Sequence, residues 1–334
     1  MKASNALLSA LLAVVIAPQV AAQSGKITVQ AITQASPNIP QYTRVDQPML
    51  RDGIAKATNG RVEMVLASWP ERNVGGPEVL RLVRSGQVDI AAAPLTTVSG
   101  DVPILDGVDL AGMNADVKQA RRVADAMMPV ANKELERMGI KLIATYPFSG
   151  QMLFCRKPLA TLADLKGMKV RTNGPSAGDL VKALGGQPVS IAFGEVYTAL
   201  ERGTVDATGW TEIGLMDANW DKFLKFRLDP PFFTTDLGVI INVRKWNSLS
   251  DKSKEILQKV MIEHEISSMK ELRELRNREF AELEKRGMKG ISLGAAAAAK
   301  FGEEARNASY DRMRERLTKI GASDDVSRFR NLFS

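Results

Sequence analysis

The sequence predicts an α/β protein of two lobes, with a mixed sheet in each lobe and one long helix that spans both. Strand and helix signals alternate along the first part of the chain, as is typical of α/β layers with a largely parallel sheet. The alternation begins again after Pro147, which indicates a second lobe. A continuous helical pattern from Asp251 to Lys285 would be about 50 Å long at 1.5 Å per residue, more than one small lobe can cover.

The first lobe is predicted from strand patterns and helix boundaries. Alternating apolar and polar residues predict its strands, and Asn59-Gly60 predicts a turn before the second of them. Pro77 and Gly86 are typical of the first turn and the end of a helix. The predicted order is strand Lys26–Ile32, helix Tyr42–Thr58, strand Arg61–Leu66, helix Gly76–Ser85, strand Val88–Ala92, helix Val117–Met138 and strand Lys141–Tyr146.

The second lobe shows similar boundary signals. Thr161 and Asp164 have the spacing of a capping box, and Gly167 is the stop signal that follows. Ser250 is predicted to cap the long helix, and Gly287 to end it. The predicted order is strand Met152–Cys155, strand Met168–Arg171, helix Ser176–Leu184, strand Pro188–Ser190, a helix from Phe193 to near Gly203, strand Val205–Trp210, strand Leu237–Val243, the long helix, and helix Ala295–Ile320.

The first residues have the composition of a secretory signal peptide. Lys2 precedes an uncharged apolar run, residues 6–17, and residues 20–22 supply the small side chains of a cleavage site. The apolar run is shorter than the roughly 20 residues of a membrane-spanning helix. The predicted organisation is signal peptide 1–22, first lobe 23–147 plus 234–262, and second lobe 148–233 plus 263–334.

Several enzyme classes are disfavoured by composition. The chain has one histidine, His264, and one cysteine, Cys155. An intramolecular disulfide is therefore excluded, and zinc sites and cysteine–histidine nucleophiles are disfavoured. The sequence contains no nucleophile elbow, Walker loop or dinucleotide fingerprint. We predict neither a cofactor nor a metal, although a pair of catalytic carboxylates remains open.

The charge pattern disfavours nucleic acid as a partner. The formal net charge is +7 at pH 7. The basic residues are interleaved with acidic ones along predicted helices and form no run of five or more. Such a distribution is typical of a solvated surface.

Short motifs follow one another along the chain and together point to a family. They are Leu165–Arg171, Ala183–Val189 and Glu195–Ala207, with Arg61–Glu63, Gly75-Gly76, Gly86–Ala91 and Gly238–Asn242 before Trp246. Taken together they closely resemble the DctP-type receptors of TRAP transporters, the periplasmic binding components of tripartite, ATP-independent transporters. The resemblance covers nearly all of the predicted mature chain and implies a two-lobed periplasmic-binding-protein fold.

The resemblance implies a ligand-binding role for Arg171. In the family, an arginine at this position pairs with the carboxylate of the ligand. The residue type suits this role, because a planar guanidinium matches carboxylate geometry with two parallel hydrogen bonds, whereas a lysine offers a point charge. An arginine at the end of a strand would otherwise be read as a surface residue.

Trp210 and Gln151 are predicted as further ligand contacts. A tryptophan at the position of Trp210 resembles the branch of the family that takes oxo and hydroxy acids, although core packing is its alternative role. That branch often carries a metal-binding glutamate one residue earlier, where this chain has Gly209. Gln151 replaces a second arginine of sialic acid receptors, and its amide suits a carbonyl or hydroxyl instead.

Four more residues complete the predicted site. Asn173 follows Arg171 closely, and Gln34 lies in the loop after the first strand. Trp69 and Arg72 lie in the loop after the second strand and are predicted to face the cleft, although solvent exposure is the alternative for Arg72.

The resemblance also implies how the protein works. The lobes would close on a small carboxylate ligand, and the closed form would bind the small and large integral-membrane TRAP subunits for uptake driven by a sodium gradient. We expect a periplasmic monomer that is not an enzyme and does not bind nucleic acid. The alternatives are a receptor of an ABC importer, a ligand-binding subunit of a sensory protein, and a secreted hydrolase.

Overall fold

The computed structural model describes residues 26–76, 78–108, 110, 116–211, 213–319 and 321. The predicted signal peptide and the chain after residue 321 lie outside these residues. The strands described are β1 Ile27–Thr33, β2 Val62–Ser68, β3 Ile90–Pro94, β4 Ile140–Cys155, β5 Lys169–Thr172, β6 Gln187–Ser190, β7 Ala207–Trp210, β8 Phe226–Asn242 and β9 Lys289–Ser292.

Helices lie between most of these strands. A π-helical segment, Tyr42–Gly53, leads into the first α-helix. The α-helices described are α1 Ile54–Ala57, α2 Glu78–Ser85, α3 Leu95–Val98, α4 Val117–Arg137, α5 Pro175–Ala183, α6 Val196–Glu201, α7 Val243–Ser248, α8 Asp251–Lys285 and α9 Ala295–Lys319. In the part of the chain that is described, none of them is both long and apolar enough to cross a bilayer.

One hydrogen-bonded ladder, β2-β1-β3-β8-β4-β7-β5-β6, runs through the whole molecule, with β9 paired to β8. The strands β1, β2 and β3 are parallel at one end, and β5, β6 and β7 are parallel at the other. Between them, the antiparallel pair β4 and β8 passes from one end to the other. We call the β1–β3 end the first lobe and the β5–β7 end the second lobe. The predicted two-lobed α/β fold is confirmed, while the residue limits predicted for the lobes remain predictions.

The strand through Pro147 is longer than predicted. The sequence suggested a break at this proline, but β4 continues through it and is 16 residues long in total. Pro147 pairs with Asp236, and the register to β8 shifts between Pro147 and Ser149. A bulge accommodates a residue that has no backbone N–H to donate to the ladder, which is why the strand continues. The prediction of two separate strands was therefore wrong.

The segment after β1 is wound more widely than an ordinary α-helix. Its 12 residues, Tyr42–Gly53, are π-helical and contain Pro48. Proline lacks the N–H for the hydrogen bond four residues back and clashes with that carbonyl, so regular α-winding is unfavourable here. The buried side chains of this segment include Val45, Asp46 and Leu50, so a carboxyl group faces inward among apolar neighbours.

The long helix contacts both lobes, as predicted. Near its start, Leu257 and Val260 pack into the core beneath β1 and β3, and near its end Leu283 packs with Trp220 in the second lobe. The Ser250 hydroxyl accepts a hydrogen bond from the Ser253 N–H at the start of the helix. Gly287 follows its end with a φ of +90°, a conformation that favours glycine.

Candidate ligand-binding cleft

A cleft of about 750 Å³ lies between the lobes. This volume falls within the range of small-molecule sites, which is about 300 to 1,000 Å³. Its wall contains residues that directly follow the carboxyl ends of parallel strands: Gln34 after β1, Trp69 after β2 and Asn173 after β5. Loops at this edge of a sheet are where open α/β folds bind ligands.

Arg171 is a buried charged residue in the wall of the cleft. It lies in β5 between Val189 of β6 and Thr208 of β7, and only 1% of the residue is exposed. Its Nε donates a hydrogen bond of 2.9 Å to the backbone oxygen of Ile191, which fixes the orientation of the guanidinium. Burial lowers the pKa of Arg171 from 12.5 to about 10, so the side chain remains positively charged at neutral pH.

Two smaller recesses extend from the cleft around Asn173. One, of about 40 Å³, is lined by Arg171, Gln151 and apolar side chains of the second lobe such as Leu153. The other is also about 40 Å³ and is shared between the lobes. Gln151 and Asn173 border both recesses, so the recess lined by Arg171 and the second recess are neighbours.

The recess between the lobes contains polar groups that sequence reasoning missed. Asp46 accepts hydrogen bonds from the Thr33 hydroxyl at 2.5 Å and from the Gln41 amide at 2.8 Å. Thr235 of β8 completes the set, and all four residues are at least 95% buried. We call this set, Thr33, Gln41, Asp46 and Thr235, the acceptor recess. The available signal was Asp46, a carboxylate on the apolar face of a helix.

The remaining residues predicted for the site differ in their exposure and in whether they line the cleft. Gln34 is half-buried and lines both the cleft and the acceptor recess. Trp69 is 4% exposed, and its indole nitrogen has no hydrogen-bond partner among the described residues. Arg72 ends a short 3-10 turn, is exposed, and is not among the described residues that line the cleft or its recesses. The backbone of Trp210 pairs with Met152, but its side chain lies outside the described part of the structure.

The lobes touch at the side of the cleft. A Cβ atom on Gly174 would lie 2.2 Å from the Thr96 hydroxyl oxygen and 2.8 Å from the Thr96 carbonyl oxygen, so only a glycine fits against α3. Arg316 of α9 pairs with Asp106 at 2.8 Å and also with Asp179 of α5. This arginine therefore bridges the two lobes beside the same contact.

The other buried titratable groups are separate from the cleft wall. His264 packs against Tyr146 at 4.7 Å between ring centroids, and burial lowers its pKa to about 4. Burial raises the pKa of the Cys155 thiol to about 12. Burial also raises the pKa of Asp236 to about 8, although Arg121 opposes the shift. Among the described residues, no three His, Cys, Asp or Glu side chains are grouped to hold a metal ion.

Two lobes around a cleft, with a fixed cation in its wall, define the class of solute-binding proteins. Residues 32–316 match the family described as bacterial extracellular solute-binding protein, family 7, named DctP. The match spans most of the chain. The protein belongs to this family, which confirms the resemblance found in the sequence.

Two curated relatives are 28% and 26% identical to the chain over the segments that match. The 2,3-diketo-L-gulonate-binding periplasmic protein of Escherichia coli is 28% identical over 62% of this chain, which spans 63% of that protein's length. The sialic acid-binding periplasmic protein of Vibrio cholerae is 26% identical over 78% of this chain and 80% of its own length.

Solved structures share the fold. An extracytoplasmic solute receptor from Bordetella pertussis that binds pyroglutamic acid superposes with a TM-score of 0.80, at 20% identity, over 92% of this chain and 99% of its own. A TRAP periplasmic solute-binding protein from Desulfovibrio salexigens with bound orotic acid gives a TM-score of 0.83 at 20% identity, with the same two coverages.

Proposed function

We propose that this protein is the periplasmic receptor of a TRAP transporter, which captures a small organic acid by closure of its two lobes. The receptor then delivers the acid to the small and large integral-membrane subunits for uptake driven by a sodium gradient. The proposed contacts are Arg171 for the carboxylate, and Gln151, Asn173, Gln34 and Trp69 for the rest of the ligand.

The observation that carries this proposal is the buried guanidinium of Arg171. Removing a charged group from water is unfavourable unless a partner of opposite charge or hydrogen bonds replace the water. One side of the group is fixed by the Ile191 carbonyl, and the residue lines the cleft. A planar donor fork held in this way suits a carboxylate, which accepts two parallel hydrogen bonds.

The ligands of similar proteins support the same class. The names of the relatives and solved structures include 2,3-diketo-L-gulonate, sialic acid, pyroglutamic acid and orotic acid. Each of these molecules carries a carboxylic acid. None of the names identifies the acid for this chain, because the identities are low.

The alternative functions have less support. A receptor of an ABC importer is disfavoured by membership of the DctP family. A hydrolase would need an activated nucleophile or base, yet Cys155 is buried with a raised pKa and His264 is buried beside Tyr146. Neither residue is among the described residues lining the cleft.

Binding to matched acids and their methyl esters tests the ligand class. A thermal-shift screen of metabolic carboxylates should find a stabilising acid, because a ligand at 100 times its dissociation constant stabilises by about 2.7 kcal/mol. The methyl ester of that acid should give no shift, since it has no negative charge for Arg171. Equal stabilisation by acid and ester would contradict the proposal.

Uptake measurements test the transport part. Cells that express the receptor together with the small and large integral-membrane subunits should accumulate the labelled acid when a sodium gradient is present. Collapse of the gradient should stop uptake, whereas depletion of ATP at a constant gradient should not. The opposite result would favour an ABC importer.

A further inference from the structure

The acceptor recess presents hydrogen-bond acceptors beside the recess that Arg171 lines, since Gln151 and Asn173 border both. The Thr33 hydroxyl already donates its proton to Asp46, so it has only lone pairs to offer. The Gln41 amide donates to the same carboxyl, and its Oε1 atom is buried without a hydrogen-bond partner among the described residues. The buried Thr235 hydroxyl is without a partner in that part of the chain as well. Buried polar groups of this kind need a donor from a ligand or from water.

The carboxyl group of Asp46 is mainly ionised at neutral pH. Burial raises its pKa from 3.8 to about 6, while the hydrogen bonds from Thr33 and Gln41 act in the opposite direction. The titratable groups that face it are Tyr42, on its own helix, and Tyr146, on β4. Both tyrosines have raised pKa values and are neutral at this pH, so Asp46 provides the negative charge of the recess.

The surroundings of these acceptors are apolar. Ile39, Phe148, Ile213 and Leu237 line the same recess. Low polarity strengthens a hydrogen bond to an ionised acceptor, and it makes an unpaired acceptor more unfavourable. The recess has about 40 Å³ of space, which is enough for a few non-hydrogen atoms of a ligand.

We propose that the acceptor recess is a specificity site for organic acids that carry a second, hydrogen-bond-donating group, a hydroxyl or an N–H, which donates to Asp46 and Gln41. The inference rests on the proposed function, because it assumes that the ligand carboxylate binds Arg171. Gln151 and Asn173 line both recesses, so the two sites adjoin each other. An acid with only acceptors or methylene groups at that end would add no hydrogen bond to Asp46 and would give the buried Gln41 Oε1 atom no donor.

Calorimetry with matched ligand pairs tests the inference. The first probe pair is pyroglutamate and the lactone in which a ring oxygen replaces its N–H, and the second is 4-hydroxybenzoate and 4-fluorobenzoate. Each acid that binds in the screen of carboxylates supplies a further pair. Its partner in the pair is an analogue that lacks the hydroxyl or N–H donor. We expect the donor member of at least one pair to bind about tenfold or more tightly, the ratio expected for one hydrogen bond to a charged group.

Variants of Asp46 and Gln41 test whether the preference for a donor-bearing acid comes from the acceptor recess. In Asp46→Asn, the ratio within the best pair should fall to about threefold or less, because the amide both donates and accepts. Gln41→Leu removes the unpaired Oε1 and should reduce the ratio as well, which provides a second test if Asp46→Asn does not fold. Asp52→Asn is the matched control, since Asp52 lies on the same helix but is exposed and pairs with Arg51.

Each outcome decides the question. A donor preference that survives in both recess variants would overturn the inference but leave the carboxylate receptor intact. Equal binding within every pair by the unaltered protein would do the same. If no carboxylate bound at all, the proposed function would fail together with the inference.

Discussion

Arg171 of the cleft and Asp46 of the acceptor recess are equally buried but differ in how firmly their charge is held. Each is 1% exposed, and burial shifts the pKa of each towards the neutral form, to about 10 for Arg171 and about 6 for Asp46. At neutral pH the arginine remains far from its titration point, whereas the aspartate is within about one unit of its own. If both groups bind the ligand as proposed, Arg171 is a permanent anchor for its carboxylate and Asp46 is a selector whose charge depends on pH.

The difference follows from the elements that hold each group. Arg171 lies in a strand with parallel neighbours on both sides, and a backbone carbonyl fixes its Nε. Asp46 lies on a π-helical segment and is held by two side chains, Thr33 and Gln41. Arg171 is therefore held more rigidly than Asp46.

The largest expected effect comes from removing the anchor. Arg171→Ala should weaken binding of the acid by about 2 to 5 kcal/mol, because the ligand carboxylate would be desolvated without a partner. Arg171→Lys should retain part of the affinity, since it keeps the charge but loses the planar donor fork. Isothermal titration calorimetry measures both losses.

Arg72→Ala is the control for the anchor. Arg72 was also predicted to be a charge partner, but it is exposed on a short turn. Its variant should bind the acid with unchanged affinity. An equal loss in both alanine variants would show that general positive charge, and not the fixed guanidinium, attracts the ligand.

A smaller effect is expected from blocking the contact between the lobes. Gly174→Ala would place a Cβ against the Thr96 carbonyl oxygen, so the lobes could not approach as closely. We expect affinity to fall about tenfold, equivalent to about 1.4 kcal/mol, and the radius of gyration of the liganded protein to increase in small-angle X-ray scattering. Gly53→Ala is the control, because a Cβ there would come no closer than 3.5 Å to a neighbouring atom and Gly53 is not among the described residues that line the cleft or its recesses. Identical scattering curves for the two variants would contradict this role of Gly174.

The titration of Asp46 predicts a still smaller, pH-dependent change. As pH falls through about 6, the carboxyl gains a proton and loses its negative charge, which makes it a weaker acceptor. Affinity for a donor-bearing acid should therefore fall severalfold between pH 7.5 and 5. Arg171 keeps its charge over this window. Burial also raises the pKa of Asp106 to about 6, so the comparison with Asp46→Asn is essential. In that variant, affinity should change less with pH. An unchanged pH dependence would show that another group, and not Asp46, causes the effect.

Substitution of Asp236, a buried carboxyl outside the cleft, should change the stability of the protein but not its affinity for the ligand. The pKa of Asp236 is raised from 3.8 to about 8, so its contribution to stability is complete below pH 4 and is lost as pH rises towards 8. Relative to the unaltered protein, Asp236→Asn should gain about 1 kcal/mol of unfolding free energy per pH unit in this window. Urea unfolding at pH 5 and pH 8 measures the gain, and a constant difference between the two proteins would contradict it.

Much of the fold could be predicted because its signals are local. The capping box at Thr161 and Asp164 and the cap at Ser250 are both present. The continuation of β4 through Pro147 could not be predicted, because a bulge depends on the partner strand and is not visible in the sequence of one strand. The π-helical winding around Pro48 was missed for a similar reason, since proline alone predicts a kink or an end.

The site was predictable only in part. Arg171 was found through a motif, and Gln34, Trp69 and Asn173 follow strand ends that the alternation pattern located. Asp46 and Gln41 could not be assigned to the cleft, because the face that a helix turns towards a cavity depends on tertiary packing. Arg72 illustrates the same limit, since its loop lies at the cleft but its side chain is exposed.

A crystal structure of the complex with the acid found in the screen tests the central claim most directly. We predict that two guanidinium nitrogens of Arg171 lie about 2.7 to 2.9 Å from the two carboxylate oxygens of the ligand. A carboxylate bound elsewhere in the cleft, with Arg171 contacting only protein atoms, would contradict the account.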